Sequence, residues 1–171
     1  MLSEGVRMIR KAIKEDLEQI NDIYNQNVSE SSVANCHLTK TTREYWDNAI
    51  DDEDTVFLVM ERADGKLSGW ACSKPFSIRE NYSSICEVSV YVNIENQNSI
   101  VAFRLWNYLL EKIKGTKYRQ VVALVLEENV RSSKLLYFVG FTKAMELPEI
   151  AIKDGKMINL NLFYKKIETE S

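Results

Sequence analysis

A lone carboxylate followed closely by a turn suited to phosphate is the chemistry this sequence offers first. Glu87 lies in Cys86-Glu87-Val88-Ser89-Val90-Tyr91-Val92, whose alternation predicts a strand. Val88, Val90 and Val92 would share one face, and Glu87, Ser89 and Tyr91 the other. Asn96-Gln97-Asn98-Ser99-Ile100-Val101-Ala102 then opens an amphipathic helix that carries Phe103 to Ile113. A strand feeding straight into a helix N-terminus turns backbone N–H groups toward the crevice, where an anion can sit. A phosphorylated cofactor held there, with a carboxylate nearby to take a proton, is an enzyme's arrangement. The turn contains no glycine.

These residues need a scaffold, and the composition supplies an ordinary globular one. The 171 residues are 45% hydrophobic and 27% charged, which suits one domain over residues 1–171 with a proper core. A net charge of −3 argues against a nucleic-acid partner. Arg7, Arg10, Lys11 and Lys14 form the one basic cluster and read as solvated surface. The longest purely apolar run, residues 121–126, is far too short to cross a membrane, and Met1-Leu2-Ser3-Glu4-Gly5 has no apolar signal core. No membrane partner is expected. Cys36, Cys72, Cys86 and the single His37 suit neither a disulfide framework nor a zinc site. The expectation is a reduced, cytoplasmic protein with no metal.

Residues 8–12 read as a short strand, followed by a helix from about Lys14 with Leu17, Ile20, Ile23 and Tyr24 at helical spacing. Residues 25–40 read as polar and irregular. Thr41-Thr42-Arg43-Glu44 has the form of a capping box, predicting a second helix that buries Tyr45, Trp46 and Ile50. Residues 55–61 and 67–74 read as a hairpin around Asp64-Gly65. A strand over 84–92, a helix over 99–114 closed by Gly115 in the usual C-terminal position, and a buried strand over 121–126 follow. Asn129 can cap a helix that stops at Gly140. Two strands around Asp154-Gly155 close the chain. The order predicts an α/β (α+β) mixed sheet of about seven strands with helices on both faces. Strands 84–92 and 121–126 would be parallel neighbours joined by a helical crossover.

In this order, these residues resemble the GNAT acyltransferase superfamily, and within it the phosphinothricin acetyltransferase-like branch. The resemblance runs from about residue 8 to 167. It rests on Ile9-Arg10-Lys11-Ala12 with Asp16-Leu17, on Asn27-Val28-Ser29-Glu30-Ser31-Ser32-Val33, and on Pro75-Phe76, Arg79 and Asn81-Tyr82. Glu87 with Val90-Tyr91-Val92, and Asn129, Ser132, Leu135 and Gly140-Phe141, complete the pattern. It implies the GNAT acyl-CoA N-acyltransferase fold and transfer of an acetyl group from acetyl-CoA to a primary amine of a small, amino-acid-like molecule.

The family's pattern gives each candidate a role. Glu87 would be the general base, alone or through a water it holds. The alternative is a polar residue on a solvated strand face. The pantetheine arm would pair with the backbone of the strand carrying Val90, Tyr91 and Val92, with Asn129 and Ser132 helping to hold it. The pyrophosphate would rest on Gln97, Asn98, Ser99, Ile100, Val101 and Ala102. There Gln97 and Ala102 match the superfamily's pattern, while Ile100 replaces a glycine. A β-branched residue adds bulk and disfavours the positive φ that glycine permits.

Leu136 stands where the family carries Tyr or His as general acid; the adjacent Tyr137 reads as packing. A thiolate with a pKa near that of Cys, about 8.5, can leave without an acid. Arg79 and Tyr82 would orient an anionic group of the substrate, although a surface role for Arg79 is equally open. Trp46, Trp70 and Trp106 read as core or pocket wall, His37 as a loop residue and Cys86 as an inert buried thiol.

Two functions follow. The first is an N-acetyltransferase using Glu87 as base. The second is a GNAT-fold module that has lost catalysis and acts as a ligand sensor or interaction protein, as Ile100 and Leu136 would suggest. No residue fixes the acyl chain. The edge of the C-terminal hairpin could pair two copies as a homodimer.

Overall fold

The computed structural model describes residues 8–28, 41–96, 99–153 and 155–168. Cys36, His37, Gln97, Asn98 and Asp154 therefore lie outside the described residues, as does most of the 27–33 segment.

Among the described residues, seven strands form one mixed sheet. They are β1 (Met8–Lys11), β2 (Val56–Glu61), β3 (Leu67–Pro75), β4 (Ile85–Val92), β5 (Gln120–Leu126), β6 (Thr142–Lys153) and β7 (Lys156–Lys166). Their spatial order is β1-β2-β3-β4-β5-β7-β6. Among these strands β4 and β5 run parallel and every other neighbouring pair is antiparallel. This is the expected GNAT-type sheet, and β7 sits between β5 and β6.

Alternation along each strand distributes apolar residues to two cores. On one side α1 (Leu17–Gln26) and α2 (Arg43–Asp51) cover Phe57, Val59, Trp70 and Cys72 with Leu17, Ile20, Ile23, Trp46 and Ile50. On the other, α3 (Ser99–Lys114) and α4 (Val130–Phe138) cover Leu58, Met60, Cys86, Val88, Val121 and Ala123. Leu17, Ile20 and Ile23 are essentially solvent-free, each contributing roughly 1.5–3 kcal/mol of apolar burial. No helix among the described residues is long and apolar enough to cross a membrane.

Charge ties the first strand to the first helix. The Arg10 guanidinium grips Asp16 through Nη1 (2.7 Å) and Nη2 (2.9 Å), and its Nε donates to Glu61 (2.7 Å). Asp16 is buried and also accepts the Ile13 N–H at 2.9 Å. The two carboxylates raise the Arg10 pKa above its ordinary value.

Three local expectations need correction. Thr41 does not cap α2. Its hydroxyl accepts from Trp46 Nε1 (3.1 Å) and donates to Asn21 Oδ1 (2.9 Å), and its backbone exchanges hydrogen bonds with the Asn25 amide. Thr42 is the N-cap residue, and Thr41 serves to clamp α2 to α1. Tyr45, expected in the core, is 56% exposed, because one residue from Trp46 is about 100° round the helix. Gly115 is not in the left-handed region. The end of α3 is closed instead by Thr116, whose N–H (2.9 Å) and hydroxyl (2.7 Å) both donate to the Ile113 carbonyl. Gly140 does act as a stop, with φ +92° after α4.

Candidate active site

β4 and β5 pair over only three positions: Ile85 with Gln120, Cys86 with Val121 and Glu87 with Val122. The parallel ladder then ends. β4 continues to Val92 alongside β3, and β5 continues to Leu126 alongside β7. The sheet splits into a wedge whose apex is at Glu87.

A cavity of about 690 Å³ fills the wedge. Val88, Val90 and Val92 form one wall, Ala123, Leu124 and Val125 the other, and Phe103, Trp106, Leu135 and Leu136 close it from α3 and α4. Leu124 is 40% exposed within an otherwise buried strand because β4 has moved away from it. Asn129 Oδ1 accepts the Ser132 N–H at 3.1 Å and so caps α4. The Asn129 side-chain amide makes no donor bond among the described residues. Asn129 is buried and Ser132 joins it in lining the cavity, so that –NH₂ group can donate to an occupant.

The N-terminus of α3 meets the same cavity. Ser99 begins the helix, and Ile100, Ala102 and Phe103 line the space. Ile100 is helical and carries no positive φ, so the conformational objection to a β-branched residue there does not arise. Its side chain is 60% exposed. Val101 is fully buried in the core, so only its backbone belongs to this turn. Arg131 and Lys134 bring positive charge to the rim from α4.

The opposite face of β4 borders a second, smaller cavity of about 120 Å³. Three successive cross-strand pairs of β3 and β4 build its floor: Trp70 with Tyr91, Cys72 with Ser89 and Lys74 with Glu87. Directly opposed residues of an antiparallel ladder point to the same face, so all six look into the pocket. The small pair in the middle leaves the space. Tyr24, Tyr45 and Trp46 complete the walls. Their rings interlock, with centroids of Trp46 and Trp70 at 5.1 Å, Tyr24 and Tyr91 at 5.1 Å, and Trp70 and Tyr91 at 4.9 Å. Trp70 Nε1 donates to the Ile20 carbonyl at 3.1 Å, fixing the pocket to α1. Ser89 and Tyr91 border both cavities, so β4 is the partition between them.

The expected site residues therefore divide. Val90, Tyr91, Val92, Ile100, Ala102, Asn129 and Ser132 gather at the large cavity, and Glu87 at the small one. Arg79 and Tyr82 lie exposed on the loop after β3 and line neither cavity. Leu136 is buried and faces the large cavity, while the Tyr137 ring packs edge-on against Phe163 at 5.2 Å. Trp46 and Trp70 are walls of the small cavity and Trp106 of the large one. Burial pushes the Cys72 and Cys86 thiols up to about 12, so neither is a nucleophile at neutral pH. Among the described residues no group of His, Cys, Asp and Glu is arranged to hold a metal. Sequence reasoning passed over Lys74, Phe103, Leu124 and Lys134; only the Lys74–Glu87 register could have singled one out, and it emerges from strand pairing.

A split parallel ladder, a helix N-terminus at its mouth and a carboxylate at its apex give the sheet an opening lined by strand edges and apolar side chains. Residues 9–162 match the acetyltransferase (GNAT) domain family, and the chain belongs to it. It is 24% identical over 160 residues to phosphinothricin N-acetyltransferase of Streptomyces viridochromogenes, across 94% of this chain and 87% of that one. It is 25% identical over 162 residues to L-methionine sulfoximine/L-methionine sulfone acetyltransferase of Salmonella typhimurium, across 94% of each. The solved structure of YncA from Salmonella typhimurium with its cofactor acetyl-CoA matches with a TM-score of 0.89 at 22% identity, over 98% of this chain and 97% of that one.

The chain is thus an acyltransferase of the GNAT type, similar to the phosphinothricin and methionine sulfoximine acetyltransferases. The residues present fit acetyl-CoA, the cofactor of the YncA structure. The wedge is long and apolar with a strand edge along one side, Asn129 has amide protons to give, and the positive end of α3 faces the mouth.

Proposed function

We propose that this protein transfers the acetyl group of acetyl-CoA to the primary amine of a small, amino-acid-like molecule, with Glu87 as general base. The observation that carries this reading is the position of Glu87. It is the last residue of β4 paired to β5, and its side chain turns to the small pocket while Val88 and Val90 turn to the large one. An amine in the small pocket and a thioester in the wedge would meet beside it.

The amine arrives as an ammonium and must lose a proton before it can attack. Glu87 takes that proton, directly or through a water. The nitrogen lone pair then forms the C–N bond as the C–S bond breaks, and the acylated nitrogen releases its second proton to solvent to give the neutral amide. The thiolate leaves with the electron pair and is protonated afterwards from solvent. With a pKa near 8.5 it is a tolerable leaving group, so the apolar Leu136 in place of an acid does not stop the reaction. The backbone N–H groups of β4 beyond the end of the ladder supply donors for the carbonyl oxygen as charge builds on it. Val90 and Val92 hold the pantetheine arm by their backbone, the turn from Gln97 to Ala102 takes the pyrophosphate, and Asn129 and Ser132 steady the arm from α4.

The relatives' names point to phosphinothricin and methionine sulfoximine as first acceptors to try. The test is release of free thiol from acetyl-CoA with each compound. The expected result is turnover by the wild type and a large loss in Glu87→Gln with acetyl-CoA affinity retained. Equal turnover of Glu87→Gln at every pH removes Glu87 from the mechanism. The buried free thiols Cys72 and Cys86 suit the reducing cytoplasm. The β6 edge, with Met145, Ile150 and Ile152 exposed, offers a surface to a second copy, which light scattering of the purified chain tests.

A further inference from the structure

We propose that Lys74 is the specificity-determining residue of the acceptor pocket, reading an anionic group carried by the same molecule whose amine Glu87 deprotonates. The inference rests on the acceptor reading above. Lys74 and Glu87 are directly opposed in the β3–β4 ladder and are the two charged residues among the pocket's lining. Opposite charges so placed would ordinarily close on one another as a cross-strand pair. Here no ion pair joins them among the described residues. The Lys74 ammonium leans instead over the Tyr45 ring, 6.0 Å from its centroid.

The pocket therefore keeps a cation and a carboxylate side by side and apart, between aromatic walls. An occupant carrying both an amine and an anion satisfies the two at once, its amine toward Glu87 and its anion toward Lys74. A simple amine leaves the Lys74 charge facing it unanswered, and a diamine adds a second repulsion. The sequence assigned this anion-holding role to Arg79 and Tyr82, but both lie on an exposed loop outside the pocket. Lys74 is on a strand, half-buried, with its stem packed in the wall. A lysine presents a compact point charge rather than a planar fork, so the group it reads is selected by charge more than by shape. Carboxylate and phosphinate are equally acceptable.

The experiment compares the amino acid that the wild type acetylates fastest with its own α-carboxamide, in wild type, Lys74→Met and Lys74→Arg. Methionine retains the apolar stem and removes only the charge. The wild type is expected to favour the acid, and Lys74→Met to cut that acid-over-amide preference in kcat/KM by at least about tenfold, through KM rather than kcat. Lys74→Arg is expected to restore most of it. Lys74→Gln, judged by the same ratio, replaces Lys74→Met if the latter does not fold.

A preference unchanged by Lys74→Met, or equal losses on acid and amide, would overturn the assignment while leaving the acetyltransferase reading intact. If the wild type acetylates neither phosphinothricin nor methionine sulfoximine, nor any other α-amino acid, the acceptor reading fails first and the Lys74 assignment falls with it.

Discussion

The two cavities on either side of β4 are built from different materials. The large one is a gap between strands, bounded by backbone edges, apolar side chains and a helix end. The small one is made of side chains, nine residues whose aromatic rings interlock around a cation and a carboxylate held apart. A site made by chain geometry tolerates changes of side chain, because the hydrogen-bonding groups belong to the main chain. A site made by side chains does not. On the proposed function, that difference would let Ile100 stand where a glycine is expected at the donor turn, while the acceptor chemistry would depend on the two charged side chains Glu87 and Lys74.

The contrast is most directly broken at Glu87. Replacing it with glutamine is expected to lower kcat/KM by roughly 100- to 1,000-fold while the acetyl-CoA Kd from titration calorimetry stays put. Loss of donor binding would mean that the two sites are not separable. Next in size is the support of the small pocket. Arg10→Met leaves the buried Asp16 carboxylate unpaired and is expected to cost about 3 kcal/mol, read by urea unfolding. An undiminished midpoint would detach α1, and the Trp70 anchor on Ile20, from that network.

The thiol of Cys72 sharpens the electrostatics of the pocket floor. Its folded pKa is pushed up to about 12 by burial, above the unfolded value near 8.5. Below about pH 8.5 the stabilisation is complete. As pH rises toward the folded value the unfolded chain releases this proton and the folded one does not, so stability falls, by about 1.4 kcal/mol per pH unit at most. Melting curves in alkaline buffer should decline less steeply for Cys72→Ala than for the wild type; parallel declines would mean the thiol is solvated.

Smaller effects belong to the donor side. Asn129→Ala removes the α4 cap, costing about 1 kcal/mol, and weakens acetyl-CoA binding by about tenfold. Ile100→Ala should change the acetyl-CoA Kd by no more than about threefold, since the residue is helical and its side chain largely exposed. A large change in either direction would mean that this side chain, and not the helix end, seats the pyrophosphate.

Much of this was legible in the sequence, for identifiable reasons. The alternation of Cys86 to Val92 fixed which residues share a face, and the span 99–114 of α3 follows from its apolar period and polar opening. What could not be read is where strands part. Residues 121–126 look uniformly buried, yet Leu124 faces a cavity because the ladder stops two positions earlier. Likewise Lys74 and Glu87 are thirteen positions apart in the chain, and only pairing of β3 with β4 makes them neighbours. Tyr45 misled because an aromatic beside Trp46 reads as core, and the helix turned it outward.

The end of the β4–β5 ladder at Glu87 also bears on how a ligand in the wedge would change stability. A sheet with an open seam lacks part of the bonding that would hold its halves together, and a ligand lying along it would supply some of that bonding. Any ligand that binds only the native state stabilises it, by about 2.7 kcal/mol at 100 times its Kd. Acetyl-CoA is therefore expected to slow proteolysis of the chain, and cleavage at the same rate with and without it would mean that the wedge does not bind the donor.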